Sequence, residues 1–311
     1  MLVDCKKEKV KTDGKRNVWQ KTRKWIGVIL LIGGMAVFFY PDLGQIYQKQ
    51  TTIQQMTEFR KHEEYRKETD KELCSKMQIY NQKLYENGQS ELYQADSMQR
   101  STIWKEFQQY EPFGYIEIPK MDCVLPLFLG ASVEHLDQGA SVLEGTSVPV
   151  GGRNTNCVIA GHRGWRQKAY FKQIEMLQVG DMVYITNPWE RLSYCVEKIE
   201  IIEPDDFERI RILEGQEMIT LMTCHPYRSG GKYRYLVLCS RVSAEDEKSS
   251  ESVRKNRNRS NISENTDQEI VQEKKIRQAG MILLCGFLLC TFCKKRKERR
   301  GLRYDEKKSH R

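Results

Sequence analysis

The chain has 311 residues, 39% of them hydrophobic, which is enough to bury a core in one or two domains. Its formal net charge of +9 is concentrated at the ends, because residues 1–24 carry +6 and residues 294–311 carry +7. The residues between these ends are net acidic. This distribution argues against a nucleic-acid-binding domain and is typical of charge that flanks membrane segments.

Each basic end adjoins an uncharged, largely apolar run, at residues 25–41 and 278–293. Both runs are near the lower limit of about 17–25 residues for a spanning helix, which flanking lysines and arginines can extend. A cleaved signal peptide is the alternative for the first run, but no small-x-small cleavage site follows it. A buried core helix is the alternative for the second, but a polar linker precedes it and a basic run follows it. The charge predicts both termini in the cytoplasm and the body outside the cell.

The segment after the first apolar run, up to about residue 93, is polar and contains few strand-forming residues. Leu73, Met77, Tyr80 and Leu84 are spaced by four, three and four residues, which places them on one face of a helix. We therefore predict one or two helices here, with this apolar stripe packed against the body.

Residues 110–242 contain many short apolar or alternating segments separated by glycine and proline. The predicted strands lie at 114–119, 124–129 with a break at Pro126, 157–160, 182–186, 192–203, 217–224 and 233–242. A short helix is predicted at 169–177, and a loop with some helical character at 204–216. This pattern predicts an antiparallel barrel or sandwich. The stretch that follows, to about residue 276, has almost no aromatic residues and is predicted to be a flexible tether.

Three reactive side chains lie at the ends of separate predicted strands. Cys224 ends one strand, His162 follows the run Val158–Ala160, and Arg234 begins the strand after Cys224. A thiolate is a natural nucleophile for acyl transfer, an imidazole can serve as its base and as general acid, and a guanidinium can donate hydrogen bonds to an oxyanion. These residues form a candidate active site.

Three other residues compete for these roles. His225 directly follows the cysteine, but adjacent strand residues point to opposite faces, so we expect it to face away unless the strand kinks. Arg228 lies in the predicted turn, and Arg241 lies beyond the centre of the last strand. We therefore prefer Arg234.

The body contains six cysteines, at positions 74, 123, 157, 195, 224 and 239. They form no zinc-binding spacing, and all but Cys224 are predicted to be small buried hydrophobic residues, with disulfide pairing left open.

Several motifs, taken together and in order, resemble a known family. Leu143–Ser147 reads Leu-Glu-Gly-Thr-Ser, Gly161–Gly164 reads Gly-His-Arg-Gly, and Thr220–Cys224 reads Thr-Leu-Met-Thr-Cys, with Pro226-Tyr227 after the cysteine. These motifs resemble the sortases, the cysteine transpeptidases of Gram-positive cell surfaces, and specifically their class C, pilin-polymerising branch. The resemblance covers about residues 110–242.

The resemblance implies a closed eight-stranded sortase-type barrel with short helices, within a mainly β fold, and the sequence patterns above add a preceding helical segment and two flanking transmembrane helices. Together they predict a basic cytoplasmic tail at 1–24, a transmembrane helix at 25–41, an extracellular helical segment with a candidate lid at 42–109, the catalytic barrel at 110–242, a polar linker at 243–276, a second transmembrane helix at 277–293 and a basic cytoplasmic tail at 294–311.

The resemblance also implies roles for the three residues of the candidate site. Cys224 would be the nucleophile, His162 the general acid and base, and Arg234 the group that stabilises the oxyanion or the substrate. The arginine follows the cysteine by ten residues, one more than we expect for class C, and Gly230-Gly231 could absorb the insertion. No cofactor or metal is implied.

The implied substrates are exported proteins or pilins with a C-terminal LPXTG-like sorting signal, cleaved between Thr and Gly. The acyl group would pass from Cys224 to an amine, either a pilin lysine or, in a housekeeping-type enzyme, a cell-wall precursor. A surface cysteine hydrolase and a non-catalytic surface module are the other hypotheses.

In class C relatives an Asp-Pro-aromatic motif forms a lid over the active site, and this sequence departs from that pattern. It has Asp96 and Trp104 but no Asp-Pro pair. Its nearest likeness, Glu111-Pro112-Phe113, lies too close to the first strand.

Overall fold

The computed structural model describes residues 2–62, 70–89, 112–164, 168–243, 270–272, 275–282 and 286. The candidate lid residues at 96, 104 and 111, the C-terminal tail and most of the predicted linker and second span lie outside the described residues.

Two helices precede the barrel: α1 (Leu2–Lys61) and α2 (Lys71–Glu86). α1 bends by 44° between Trp25–Tyr40 and Gly44–Lys61, around Pro41, whose missing amide hydrogen interrupts helical hydrogen bonding. Within the described residues, the length and hydropathy needed to cross a membrane are reached only by these two stretches taken together.

α2 packs on the barrel through the predicted stripe, since Leu73, Met77, Tyr80 and Leu84 are all buried. Asn81 lies on the same face and pairs with the backbone of Val148 in both directions. Its Nδ2 donates to the Val148 carbonyl at 2.9 Å, and the Val148 amide donates to its Oδ1 at 2.8 Å. The prediction of a packing face is confirmed, and these two bonds fix the register of the helix on the barrel.

Eight strands form a closed barrel in the order β1-β2-β3-β4-β7-β8-β6-β5, with β5 pairing back to β1. They are β1 (Gly114–Ile118), β2 (Cys123–Leu129), β3 (Ala140–Val142), β4 (Thr155–Ala160), β5 (Met182–Thr186), β6 (Arg191–Ile202), β7 (Glu217–His225) and β8 (Tyr233–Arg241). Closure leaves no free sheet edge. The predicted eight-stranded barrel is confirmed.

Side-chain alternation along β7 separates two apolar layers. Ile219 and Leu221 point into the main core, whereas Met218 and Met222 pack in a second, smaller cluster on the other face. A 3-10 turn at Phe207–Ile210, within the predicted loop 204–216, covers that smaller cluster. The outer face of β7 therefore carries Met218 and Met222, with Thr220 between them.

Two local predictions were wrong. β2 continues through Pro126 instead of breaking there. At Pro126 the strand pairs with β1 alone, because its pairing with β3 begins at Leu127, and a proline is tolerated where one side of a strand is unpaired. The predicted helix at 169–177 is reduced to a 3-10 turn at Ile174–Met176. The buried residues there, Phe171, Ile174 and Leu177, are spaced by three, which suits the three residues per turn of a 3-10 helix.

Two short elements were not predicted: β3, which is part of the barrel, and helix α3 (Val133–Gln138) before it. The Ser132 hydroxyl caps α3 by accepting the His135 amide at 3.2 Å. Earlier in the chain, Phe113, from the nearest likeness to a lid motif, is fully buried against Trp189 and is a core residue.

Candidate active site

The candidate nucleophile and the candidate arginine are direct cross-strand neighbours. β7 and β8 are antiparallel, and their register sets Cys224 opposite Arg234. Opposite residues in an antiparallel pair point to the same face of the sheet, so the thiol and the guanidinium share one side. Both lie on the outer face, next to the apolar cluster that contains Met222 and Leu236.

Backbone carbonyls hold one end of the Arg234 guanidinium. Its Nη1 donates to the Gly231 carbonyl at 2.7 Å and to the Tyr233 carbonyl at 3.3 Å. The Nε and Nη2 of Arg234 make no hydrogen bond to any residue that the structure describes. These donors are therefore available to an oxygen brought in by a substrate.

Gly231 lies between the two reactive groups. A Cβ added to it would be 3.2 Å from Cys224 Sγ and 3.1 Å from Arg234 Nη1. Its φ of +87° also lies in the region that L side chains rarely adopt. The glycine therefore lets the β7–β8 turn close tightly over the thiol. From the sequence, Gly231 was expected only to help absorb an inserted residue.

His162 is placed beside Cys224 by the parallel pairing of β4 with β7. The ladder sets Ala160 opposite Met222 and continues with the Gly161 amide, which donates to the Met222 carbonyl at 3.1 Å. The Thr223 hydroxyl then donates to the Gly161 carbonyl at 2.6 Å. His162 comes next in the chain, and the same register continued by two residues sets it level with Cys224.

The surroundings of the His162 ring act on its pKa in opposite directions. Burial disfavours the imidazolium and lowers the pKa of His162, and the Asp137 carboxylate, with Oδ1 at 3.9 Å from Nε2, opposes that shift. The Tyr170 ring lies edge-on at 6.0 Å between centroids. The net shift favours the neutral ring, which can accept a proton. Asp137, on the unpredicted helix α3, was missed by the sequence analysis, which had no signal for it.

The competing residues lie elsewhere. His225 is on the opposite face of β7 from Cys224, as predicted from strand alternation, and its Nδ1 lies 3.3 Å from Glu175 Oε1. Arg241 is at the far end of β8, paired with Glu217 at 3.1 Å. The Arg228 guanidinium lies over the Tyr227 ring at 5.1 Å, in the turn.

The six body cysteines are all free thiols. Cys157 and Cys239 are buried, and Cys74, Cys123 and Cys195 are partly buried. Burial raises the pKa of Cys157 and Cys239 well above the ordinary value and that of Cys123 to about 12. The predicted burial thus holds fully for Cys157 and Cys239 only, and these raised pKa values keep Cys123, Cys157 and Cys239 protonated at neutral pH.

Together these groups suit acyl transfer through a covalent intermediate. A thiol, a predominantly neutral imidazole and a guanidinium with spare donors meet at one end of the barrel, beside an apolar surface. They supply a nucleophile, a proton carrier and a stabiliser for a developing oxyanion.

The sequence and the fold both match known sortases. The Sortase domain family model matches residues 116–242. Sortase D of Bacillus subtilis is 28% identical over 131 residues, which are 42% of this chain and 63% of that protein. The chain therefore spans just under two thirds of that relative.

Solved structures are matched over nearly their whole length. Sortase C-1 of Streptococcus pneumoniae is 33% identical, with a TM-score of 0.54, covering 61% of this chain and 98% of that one. Clostridium perfringens sortase C with the C-terminal cell wall sorting motif is 30% identical, with a TM-score of 0.53, covering 61% and 99%. The chain belongs to the sortase family of cysteine transpeptidases, in its class C branch.

Proposed function

We propose that this sortase builds pili: it cleaves an LPXTG-like sorting signal between Thr and Gly and joins the acyl group to a pilin lysine. The observation that carries the proposal is the cross-strand pair of Cys224 and Arg234, with His162 two residues after the end of the adjoining strand β4. The similarity to sortase C structures, one of which is described with a cell wall sorting motif, supports this substrate class.

In the first half-reaction the neutral His162 ring takes the proton of the Cys224 thiol, and the resulting thiolate attacks the carbonyl carbon of the threonine. The oxygen becomes an oxyanion, which the free Arg234 donors stabilise. The C–N bond to glycine then breaks, and His162 donates a proton to the departing amine. The product is a thioester between Cys224 and the threonine carbonyl.

In the second half-reaction an amine attacks the thioester carbonyl and His162 takes its proton. The C–S bond breaks and Cys224 leaves as thiolate, which takes the proton back from His162, so that the thiol and the neutral ring are restored. A lysine ε-amine gives an isopeptide bond, a cell-wall precursor amine gives an anchored protein, and water gives a free acid.

The apolar cluster beside the thiol is the proposed peptide groove. Met222 and Leu236 lie two residues from Cys224 and Arg234 on the same strand faces. Ile210 and Phe207, from the turn between β6 and β7, pack against the same cluster. This surface suits the apolar side chains of a sorting signal, held so that the threonine carbonyl meets the sulfur.

We also propose that the chain is held in the cell membrane with both termini cytoplasmic and the barrel outside. Highly exposed apolar side chains on α1, including Trp25, Leu30 and Val37, support this placement, as do the basic residues beyond both apolar runs. Protease accessibility of the barrel and of both ends in intact cells tests it, and degradation of the N-terminal tail from outside would contradict it.

The acceptor experiment separates the proposed activity from its alternatives. Purified full-length protein is given a fluorogenic LPXTG peptide and, in parallel reactions, an acceptor peptide whose only free amine is an internal lysine or one whose only free amine is its N-terminus, and products are identified by mass spectrometry. An isopeptide-linked product that is lost in Cys224→Ala supports pilin polymerisation. Joining only to an N-terminal amine would indicate anchoring, free acid alone would indicate a hydrolase, and an unaffected Cys224→Ala variant would refute the proposal.

A further inference from the structure

An ion pair is buried behind the nucleophile strand, on the face opposite the thiol. Arg163 Nη2 pairs with Glu175 Oε1, and the two side chains are only 3% and 4% exposed. Charged side chains are almost never this deeply buried unless paired, and a buried pair is often no more stabilising than apolar residues of the same size. Its presence behind an active site therefore calls for a role other than stability.

The same guanidinium contacts the backbone and the side chain of the nucleophile strand. Arg163 Nη1 donates to His225 Nδ1 at 2.7 Å and to the Cys224 carbonyl at 3.4 Å. Because a guanidinium can only donate, this ring nitrogen of His225 acts as an acceptor. The guanidinium thus bridges three acceptors: the Glu175 carboxylate, the His225 ring and the Cys224 carbonyl.

These bonds hold the two catalytic segments together on both sides of His162. Gly161, immediately before it, accepts the Thr223 hydroxyl at 2.6 Å. Arg163, immediately after it, reaches Cys224 and His225. The neighbours of the imidazole are therefore tied to the nucleophile and to both of its neighbours, so its backbone cannot shift without breaking one of these contacts.

We propose that Arg163, with Glu175 and His225, forms a positioning clamp that sets the separation between the Cys224 thiol and the His162 imidazole. This inference rests on the roles of Cys224 and His162 in the proposed function. The clamp residues reach Cys224 at its backbone carbonyl, through Arg163. They act through the backbone that carries the reacting groups.

A neighbouring aromatic residue closes the clamp on the barrel side. The Tyr235 ring lies 5.9 Å from the Arg163 guanidinium carbon and 5.6 Å from the His225 ring, between centroids. Burial, reinforced by the Glu175 carboxylate, raises the pKa of Tyr235 to about 12, so the phenol is neutral and adds no negative charge. Tyr235 therefore leaves the charges of the Arg163–Glu175 pair unaltered.

The test measures how strongly His162 controls the thiol, without any peptide substrate. Alkylation of Cys224 by iodoacetamide at neutral pH is followed by peptide mapping in the full-length protein, with and without His162→Ala. In the otherwise unaltered protein we expect His162→Ala to change the alkylation rate of Cys224 by about tenfold or more. In the double variant Arg163→Met/Glu175→Gln we expect the same substitution to change it less than about twofold, because the ring is no longer held beside the sulfur.

Turnover gives a second readout. The double variant is expected to lose about 10²-fold in kcat with little change in KM, since a misplacement of about 1 Å can cost this much without altering substrate binding. The single variant Glu175→Gln is also expected to have a lower kcat. If it fails to fold because Arg163 is left with an unpaired buried charge, the charge-free double variant still decides the question.

The matched control removes the ion pair at the other end of the same strands. Arg241→Met/Glu217→Gln deletes a pair 3.1 Å apart that lies far from Cys224 along β7 and β8. It is expected to keep the kcat and the His162 dependence. A clamp double variant that keeps full His162 dependence and unaltered kcat would overturn the inference. If the unaltered protein joined no peptides, the proposed function would fail while the alkylation comparison would still decide the clamp.

Discussion

Replacing Arg234 by lysine is expected to lower kcat strongly, although lysine keeps the positive charge. Nη1 already donates to the Gly231 and Tyr233 carbonyls, so substrate stabilisation falls to Nε and Nη2. A lysine has a single nitrogen, which cannot occupy the anchored position and also reach the point where the other two donors lie. Retaining the positive charge should therefore not rescue the reaction.

The magnitude follows from the loss of an oxyanion donor. Removal of one such donor typically lowers kcat by about 10²–10³, or about 3–4 kcal/mol of transition-state stabilisation. We expect Arg234→Lys to lose about 10²-fold and Arg234→Met up to about 10³-fold in kcat, with KM changed much less. The loss should fall on the first half-reaction, where the oxyanion first forms.

The assay is cleavage of a fluorogenic LPXTG peptide, combined with hydroxylamine trapping of the thioester on Cys224. Arg241→Lys is the matched control, because Arg241 is on the same strand but pairs with Glu217 away from the thiol. The control should retain full activity. An Arg234→Lys variant within about threefold of the unaltered kcat, which is under 1 kcal/mol, would refute the reasoning.

Three further changes have expected outcomes. Asn81→Ala removes both bonds to the Val148 backbone and should lower the free energy of unfolding by about 1–3 kcal/mol in denaturant titration, because the buried Val148 amide loses its partner while the Val148 carbonyl keeps the Val150 amide. Gly231→Ala forces a methyl group against the thiol and the guanidinium at a φ of +87°, and should lower kcat about tenfold or more while costing about 1–2 kcal/mol in stability. Asp137→Asn removes the carboxylate that raises the pKa of His162, so the ring should titrate at a lower pH, as measured by NMR. Because burial already holds that pKa below its unfolded value, acidification through the unfolded pKa disfavours the folded state, and Asp137→Asn should increase this effect.

Each of these changes has a control or a contradicting result. Gln82→Ala alters the exposed neighbour of Asn81 and should leave stability within about 0.5 kcal/mol. Gly230→Ala is also at positive φ, but its added Cβ meets nothing within 4 Å, so it should cost stability without the loss of kcat. A His162 pKa that stays constant or rises in Asp137→Asn would contradict the electrostatic assignment.

The sequence was sufficient where the determining pattern is local. Alternation and turn residues predicted most of the barrel strands, and helical spacing predicted the buried face of α2. Strand alternation also placed His225 on the face opposite Cys224, because side-chain direction in a strand has a period of two residues. The order of several short motifs was enough to indicate the family.

Only the tertiary structure decided what depends on pairing between distant segments. Asp137 approaches His162 from helix α3, and Glu175 approaches Arg163 from a 3-10 turn, and neither local sequence indicates these contacts. Arg163 followed His162 in a motif quoted for its resemblance, yet its burial and its contact with the Cys224 carbonyl follow from the parallel pairing of β4 with β7. The register between β4 and β7, whose paired residues are 62 positions apart, is fixed by barrel closure and core packing. Those interactions are non-local, so no window of the sequence contains them.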